Sequence, residues 1–183
     1  MQPTSKFGEL YQYSNPMAGA AGFIGAHVLY PQLELGAAYD KAMQTLVFDP
    51  LGMRNTTFDF ARAMQGNFAH PHADDIDHRT VVAGMGINNT IVATRPAGAA
   101  WSSVNDMLKY VQMELDAGKL PTGDRYIAEA PLLERRKPQV AEGNDGNYGM
   151  GLSIYRTYDI ELVDHGGSMD GFKSNMMWLP GSN

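Results

Sequence analysis

Apolar residues recur along this chain at two different spacings. Tyr39, Ala42, Met43, Leu46 and Val47 follow the i, i+3, i+4, i+7, i+8 pattern of one buried helix face. That helix is expected to stop at Asp49-Pro50, with Leu51-Gly52-Met53 making the turn. Val104, Met107, Leu108, Val111 and Leu115 repeat the pattern, with Ser103 as the cap, Asp106 in the first turn and Gly118 just past the end. Near the start, Asn15 is a suitable N-cap and Pro16 a suitable first residue for a helix running to about Leu29. Its glycines at 19, 22 and 25 form a smooth stripe, each costing roughly 1 kcal/mol against alanine. Such a helix needs tertiary packing to persist.

A further helical patch, Tyr126 to Lys137, is interrupted by Pro131. Residues 54–100 carry little periodicity and read as loops, with short strands around Thr80–Val82 and Thr90–Ala93. From Tyr148 the period becomes two: Tyr148, Met150, Leu152 and Ile154 alternate with Gly149, Gly151, Ser153 and Tyr155. Segments 148–156, 160–165 and 172–179 are expected to form a three-stranded antiparallel meander. Helices first and antiparallel strands last imply an α+β fold. The expectation is one incomplete domain over 1–183, with helices and loops over 1–145 and strands of a larger sheet over 146–183. Both ends read as cut from a longer chain, the last within strand-like sequence at Trp178-Leu179-Pro180-Gly181.

Composition narrows the function classes. A net charge of -6, spread without blocks, argues against nucleic acid or an anionic membrane as partner. Without cysteine there is no thiol nucleophile, disulfide or thiolate metal site. The most apolar stretch runs only from Met17 to Tyr30, short of the roughly 20 residues that span a bilayer. The compartment stays open.

Candidate chemistry gathers at Asp164-His165-Gly166-Gly167-Ser168-Met169-Asp170-Gly171-Phe172, between two strand-like runs. Glycines at a strand end let a backbone come close to a ligand, although they also suit a plain turn. Tyr13-Ser14-Asn15, just ahead of the first helix, is the second candidate; alone it is an aromatic and a cap. None of the serines is followed by lysine three residues later. Gly166-Gly167-Ser168-Met169-Asp170 misses the last glycine of a nucleophile elbow and lies between strands rather than before a helix. His70-Pro71-His72-Ala73-Asp74-Asp75-Ile76-Asp77-His78 holds zinc-type ligands, yet its spacing fits no standard zinc motif. No metal site and no cofactor is assigned.

The order of several markers is more specific than any one of them. Tyr13-Ser14-Asn15 before an apolar helix is followed by Pro50-Leu51-Gly52-Met53 with Thr57-Phe58, then Pro96-Ala97-Gly98 with Trp101-Ser102-Ser103. Tyr148-Gly149-Met150-Gly151 and His165-Gly166-Gly167 complete the series. From about Phe7 to Pro180 this resembles the serine β-lactamase and penicillin-binding-protein superfamily, in its class C-like and esterase branch. The resemblance implies part of a β-lactamase/transpeptidase-like fold, a helical lobe beside a helix-covered antiparallel sheet. It also implies that the Ser-x-x-Lys motif with the nucleophile lies on an N-terminal portion outside this sequence, which would be this chain's partner.

By the same resemblance, Tyr13 and His165 are the catalytic candidates, with Tyr13 in the general-base system. An isolated phenol has a pKa of about 10 and needs a nearby cation to act at neutral pH, which the lysine of Ser-x-x-Lys would supply. Asn15, Gly166, Gly167 and Ser168 are the substrate-binding candidates. Asn15 would hold that lysine and a substrate carbonyl, and the Ser168 N–H would be one oxyanion-hole donor, a type of contact worth about 3–4 kcal/mol. His165 stands where other branches have lysine. An unperturbed imidazole, with a pKa near 6.5, is mostly neutral above pH 7 and anchors a carboxylate weakly. A small acyl substrate of the neutral ester type, or an amide without a free carboxylate, is therefore expected over a β-lactam, with Lys173 and Arg95 as the other cations that could do the anchoring instead. The contrary reading is an inactive homologue or binding module without the nucleophile. The family resemblance is compatible with a secreted or periplasmic setting.

Overall fold

The computed structural model describes residues 2–181. They form two compact units.

One unit comprises Ser14–Met107 and Gly166–Ser174. Its first helix, α1, is Asn15–Leu29. The cap is Ser14, not Asn15: the Ser14 Oγ accepts from the Met17 N–H at 3.3 Å, and Pro16 is the second helical residue. A serine one position earlier reaches an unpaired first-turn N–H equally well, and this leaves the Asn15 side chain without a capping duty. Helix α2, Leu35–Met43, starts ahead of the visible periodicity because the Glu34 carboxylate accepts from Gly36 and Ala37 N–H at 2.9 and 3.2 Å. These two bonds hold the Glu34 carboxyl below its usual pKa. The helix runs on into a π-helical turn, Gln44–Phe48.

Ala26, Ala38 and Ala42 form the buried seam, flanked by Tyr30, Leu33 and Tyr39. Small residues permit the close approach. A Cβ on Gly22 would come within 2.4 Å of Pro96, and one on Gly36 within 2.1 Å of the Arg95 guanidinium. Arg95 in turn makes a two-pronged pair with Asp40 at 2.6 and 3.1 Å. The opposite face of α1 leaves Met17, Ile24 and Val28 exposed.

The strand expected at Thr90–Ala93 is instead part of a 3₁₀ segment, Asn88–Ala97. Its β-branched residues suggested a strand, but Thr90 bonds back to the Ile87 carbonyl through both its N–H and its hydroxyl, at 3.0 and 2.7 Å. Tertiary packing against α1 overrides the propensity. Helix α3, Phe60–Ala63, is a single turn. Strands β1 (His72–Asp74) and β2 (Thr80–Val82) pair antiparallel. Helix α4, Val104–Leu115, begins in this unit, where the Ser103 Oγ accepts from the Asp106 N–H at 3.2 Å. Buried Asp106 accepts from Asn55 N–H and Thr56 Oγ1 at 2.7 and 3.0 Å, tying the loop to the helix start.

The other unit comprises the residues up to Tyr13, Leu108–His165, and those from Asn175 on. Helix α5, Glu129–Glu134, places Pro131 in its first turn rather than being broken by it, since a first-turn N–H has no helical partner to lose. Strands β3 (Val140–Glu142), β4 (Gly146–Tyr148), β5 (Ser153–Thr157), β6 (Ile160–Met169) and β7 (Phe172–Trp178) follow in that order across one sheet. The expected three-strand meander is thus five strands. The run 148–156 divides at Gly149–Leu152, where the Gly149 N–H bonds the Leu152 carbonyl at 2.8 Å and Gly151 takes φ 75°. A Cβ on Gly149 would lie 2.2 Å from the Arg135 carbonyl, so the backbone bends where only glycine fits. Leu152, Ile154, Val163 and Trp178 form the core beneath Val111 and Leu115 of α4.

One buried polar cluster joins α4 to α5. Glu114 is fully buried, and its Oε1 accepts from Arg135 at 2.6 Å and from the Tyr110 hydroxyl at 2.8 Å. Arg136 donates to the Glu114 carbonyl at 2.9 Å, with its Nε 3.7 Å from Oε2. Burial, and then the Glu114 charge, push the Tyr110 hydroxyl up to about 12 from 10.0. A phenol whose folded pKa is raised contributes stability that is intact below pH 10 and lost as pH rises toward 12. Alkaline unfolding of the full-length protein is expected to set in over that window and to be less steep in Tyr110→Phe. An identical pH dependence for the two proteins would refute this. Among the described residues no helix is long and apolar enough to cross a membrane.

Candidate functional site

In the sheet-containing unit, the loop ahead of α1 brings Tyr13 to His165, midway along β6. The rings of Tyr13 and His165 are 6.0 Å apart and tilted by 41°. Tyr148, at the end of β4, meets Tyr13 edge-on at 6.4 Å and places its hydroxyl 3.3 Å from His165 Nε2. Tyr11 packs on Tyr148 at 5.0 Å. Burial raises the Tyr148 hydroxyl above its ordinary pKa, with Tyr13 and Glu142 adding to it, so it keeps its proton at neutral pH. Burial and a hydrogen bond to Glu142 do the same for Tyr11. Tyr13 is half exposed.

In the helical unit, Asn15 is exposed at the start of α1, and among the described residues no hydrogen bond ties its side chain. Gly166, Gly167 and Ser168 occupy the last part of β6, ahead of the turn at Asp170-Gly171. At Gly167 an added Cβ would sit 2.3 Å from Ser174 Oγ, which would have to turn away to make room. Gly166 is open, its nearest neighbour for an added Cβ being the Ser174 carbonyl at 3.9 Å. The Ser168 Oγ accepts from Lys173 Nζ at 2.6 Å.

The turn that carries these residues is fixed from outside. Buried Asn88 donates from Nδ2 to the Asp170 carbonyl at 2.8 Å, and the His72 N–H donates to the Gly171 carbonyl at 3.0 Å. Gly171 takes φ 78°, and an added Cβ would lie 2.6 Å from Pro71. The segment His70 to His78 therefore contributes backbone support to the hairpin. Among the described residues no three His, Asp or Glu side chains converge as a metal set.

Tyr148, Lys173 and Asn88 were not singled out for these contacts by the sequence reading. A signal for Lys173 exists: with a two-residue loop at Asp170-Gly171, Ser168 and Lys173 stand at equivalent positions on facing strands. No such signal exists for Asn88, which is far from Asp170 along the chain.

Comparisons with known proteins agree with this architecture. The family model described as Beta-lactamase matches residues 1–183. A β-lactamase of Yersinia enterocolitica is 25% identical over 154 residues, 84% of this chain and 36% of that protein. The octameric penicillin-binding protein homologue from Pyrococcus abyssi matches with a TM-score of 0.72 at 20% identity, over 97% of this chain and 37% of that one. A class C β-lactamase mutant matches with a TM-score of 0.71 at 17% identity, over 98% of this chain and 53% of that one. The chain thus spans about a third to a half of the length of these relatives, and its α+β architecture is part of the β-lactamase/transpeptidase fold. With the family model matched over its whole length, this chain belongs to the β-lactamase family.

Proposed function

We propose that this chain is part of a serine hydrolase that works through an acyl-enzyme on β-lactams, esters or peptides, with esters favoured. The observation that carries the proposal is the placement of Tyr13 against His165, with the Tyr148 hydroxyl on the imidazole. Tyr13 would take the proton from the nucleophilic serine hydroxyl as its oxygen attacks the substrate carbonyl. The carbonyl carbon gains the serine oxygen and loses the leaving group, and water then cleaves the acyl-enzyme. His165 would stand near the leaving-group oxygen, where one donor and one acceptor are more useful than a fixed charge. Asn15 would orient the substrate carbonyl, and the glycines at 166 and 167 would let the strand backbone approach it. Ser168 N–H would donate to the developing oxyanion. The nucleophile is expected on a Ser-x-x-Lys segment outside these residues.

Intact-mass and peptide-mapping measurements on the full-length protein, after reaction with a fluorophosphonate or a penicillin, test this. One covalent adduct is expected, on a serine outside residues 1–183. An adduct on Ser168 or any other serine of this chain would overturn the assignment. Binding of substrate with neither adduct nor turnover would show an inactive homologue that keeps the binding residues.

A further inference from the structure

We propose that Glu142 and Tyr11 form a clamp that positions Tyr13, the residue assigned above to take the serine proton. The inference rests on the hydrolase reading and adds two positioning residues to it. Tyr11 and Tyr13 stand two apart on the loop ahead of α1, and both rings pack on Tyr148, at 5.0 and 6.4 Å between centroids. Ring packing alone leaves a side chain free to slide, whereas a hydrogen bond fixes a point.

Strand register brings that point within reach. Val140 of β3 pairs with Tyr148 of β4, and Glu142 pairs with Gly146. Glu142, two residues beyond Val140, therefore lies on the same strand face as Tyr148, diagonally across from it. Tyr11, seated on Tyr148, donates from its hydroxyl to the Glu142 carboxylate. A charged acceptor makes this the stronger kind of hydrogen bond. The β3–β4 hairpin is closed by residues 143–145 alone, with Gly143 at φ 64°, so Glu142 stands at a short turn of set register.

The rest of the loop offers little else to hold it. Phe7 and Leu10, its other large apolar residues, are exposed. Among the described residues its other side-chain hydrogen bonds are local, joining Thr4 to Gln12, Ser5 to Lys6 and Lys6 to Glu9. With one residue between Tyr11 and Tyr13, a shift of the first is passed on to the phenol of the second. Misplacing a reacting group by about 1 Å costs up to about 10²-fold in rate. The role is positioning: Glu142 and Tyr11 act through Tyr13 and not on the reacting atoms.

The test measures kcat and KM of the full-length enzyme for p-nitrophenyl butyrate, together with amide hydrogen exchange across residues 7–13. Tyr11→Phe and Glu142→Ala should each lower kcat about tenfold with KM nearly unchanged. The double variant should be no slower than either single one, because both break the same contact. Glu142→Gln keeps an acceptor at that point and should restore most of the rate. In a Tyr13→Phe background the same substitutions should have no further effect on kcat, an outcome that a general loss of folding would not reproduce. Exchange across 7–13 should rise in Tyr11→Phe and Glu142→Ala while β5 stays protected. A kcat unchanged by both substitutions overturns the inference and leaves the hydrolase reading standing, and so does a loss of the same size in the Tyr13→Phe background. Absence of turnover in the wild type, with exchange raised in both variants, removes the hydrolase reading and keeps the clamp. Unchanged exchange in both variants overturns the inference with or without turnover.

Discussion

Glu114→Gln is expected to lower the unfolding free energy of the full-length protein by about 3–5 kcal/mol, a large share of the roughly 5–15 kcal/mol that holds a typical domain together. Glu114 is fully buried and faces two guanidinium groups, Arg135 bonded at 2.6 Å and Arg136 at 3.7 Å. The amide removes the negative charge and leaves both cations in place. Arg136 is nearly buried, so water cannot replace the lost partner. The Tyr110 hydroxyl, which accepts from Arg135 while it donates to the same carboxylate, is then left donating to an uncharged amide oxygen. Denaturant midpoints, compared at constant m-value, provide the measurement. Glu134→Gln is the control: Glu134 bonds Lys137 at 2.6 Å, but both side chains are exposed, so its loss should cost under about 1 kcal/mol. Equal shifts for the two variants would show that the buried cluster has no special weight.

Tyr13→Phe in the full-length enzyme is expected to lower kcat about 10²- to 10⁴-fold, the usual range for a lost general acid–base group. KM should change little, because the phenol hydroxyl acts on the serine proton rather than on bound substrate. The ring itself remains, so its contacts with His165 and Tyr148 survive and the fold should be unaffected. Tyr148→Phe should have a smaller effect, since that hydroxyl touches His165 and reaches the reaction only through the imidazole. Its distinguishing sign would be a shifted pH profile of kcat/KM rather than a uniform loss. A Tyr13→Phe enzyme within threefold of wild type would remove Tyr13 from the general-base role.

Much of the helical part was legible because its determinants are local. The α4 cap at Ser103 follows from one hydroxyl. Of the apolar stripe, however, only Val111 and Leu115 pack on the sheet core, while Val104 and Leu108 are exposed. A 3.6-residue period marks a face without showing how far the neighbouring elements cover it. The α1 boundary was misplaced by one residue, as two polar residues in succession can both serve as caps and only the hydrogen bond from Met17 distinguishes them. Thr90–Ala93 was misread because β-branched residues fit strands and 3₁₀ turns alike when the packing partner is unknown. The period-two signal over 148–156 was real, but its interruption depends on the Arg135 carbonyl, which arrives from a distant helix end.

For the candidate site, the division follows the same physics. The order of several markers along the chain, from Tyr13-Ser14-Asn15 through Pro50-Leu51-Gly52-Met53, Trp101-Ser102-Ser103 and Tyr148-Gly149-Met150-Gly151 to His165-Gly166-Gly167, sufficed to indicate the family, since chemistry is a property of side chains. What stands beside each of these groups could not be read in one dimension. That His165 meets Tyr13 and the Tyr148 hydroxyl results from loop closure around a sheet. Arg95, a candidate cation by composition, is spent on Asp40, while Lys173 is held against Ser168 by a hairpin that Asn88 and Gly171 fix. Charge is written in the sequence, but its availability depends on which opposite charge lies within a few ångströms, and only the folded chain decides that.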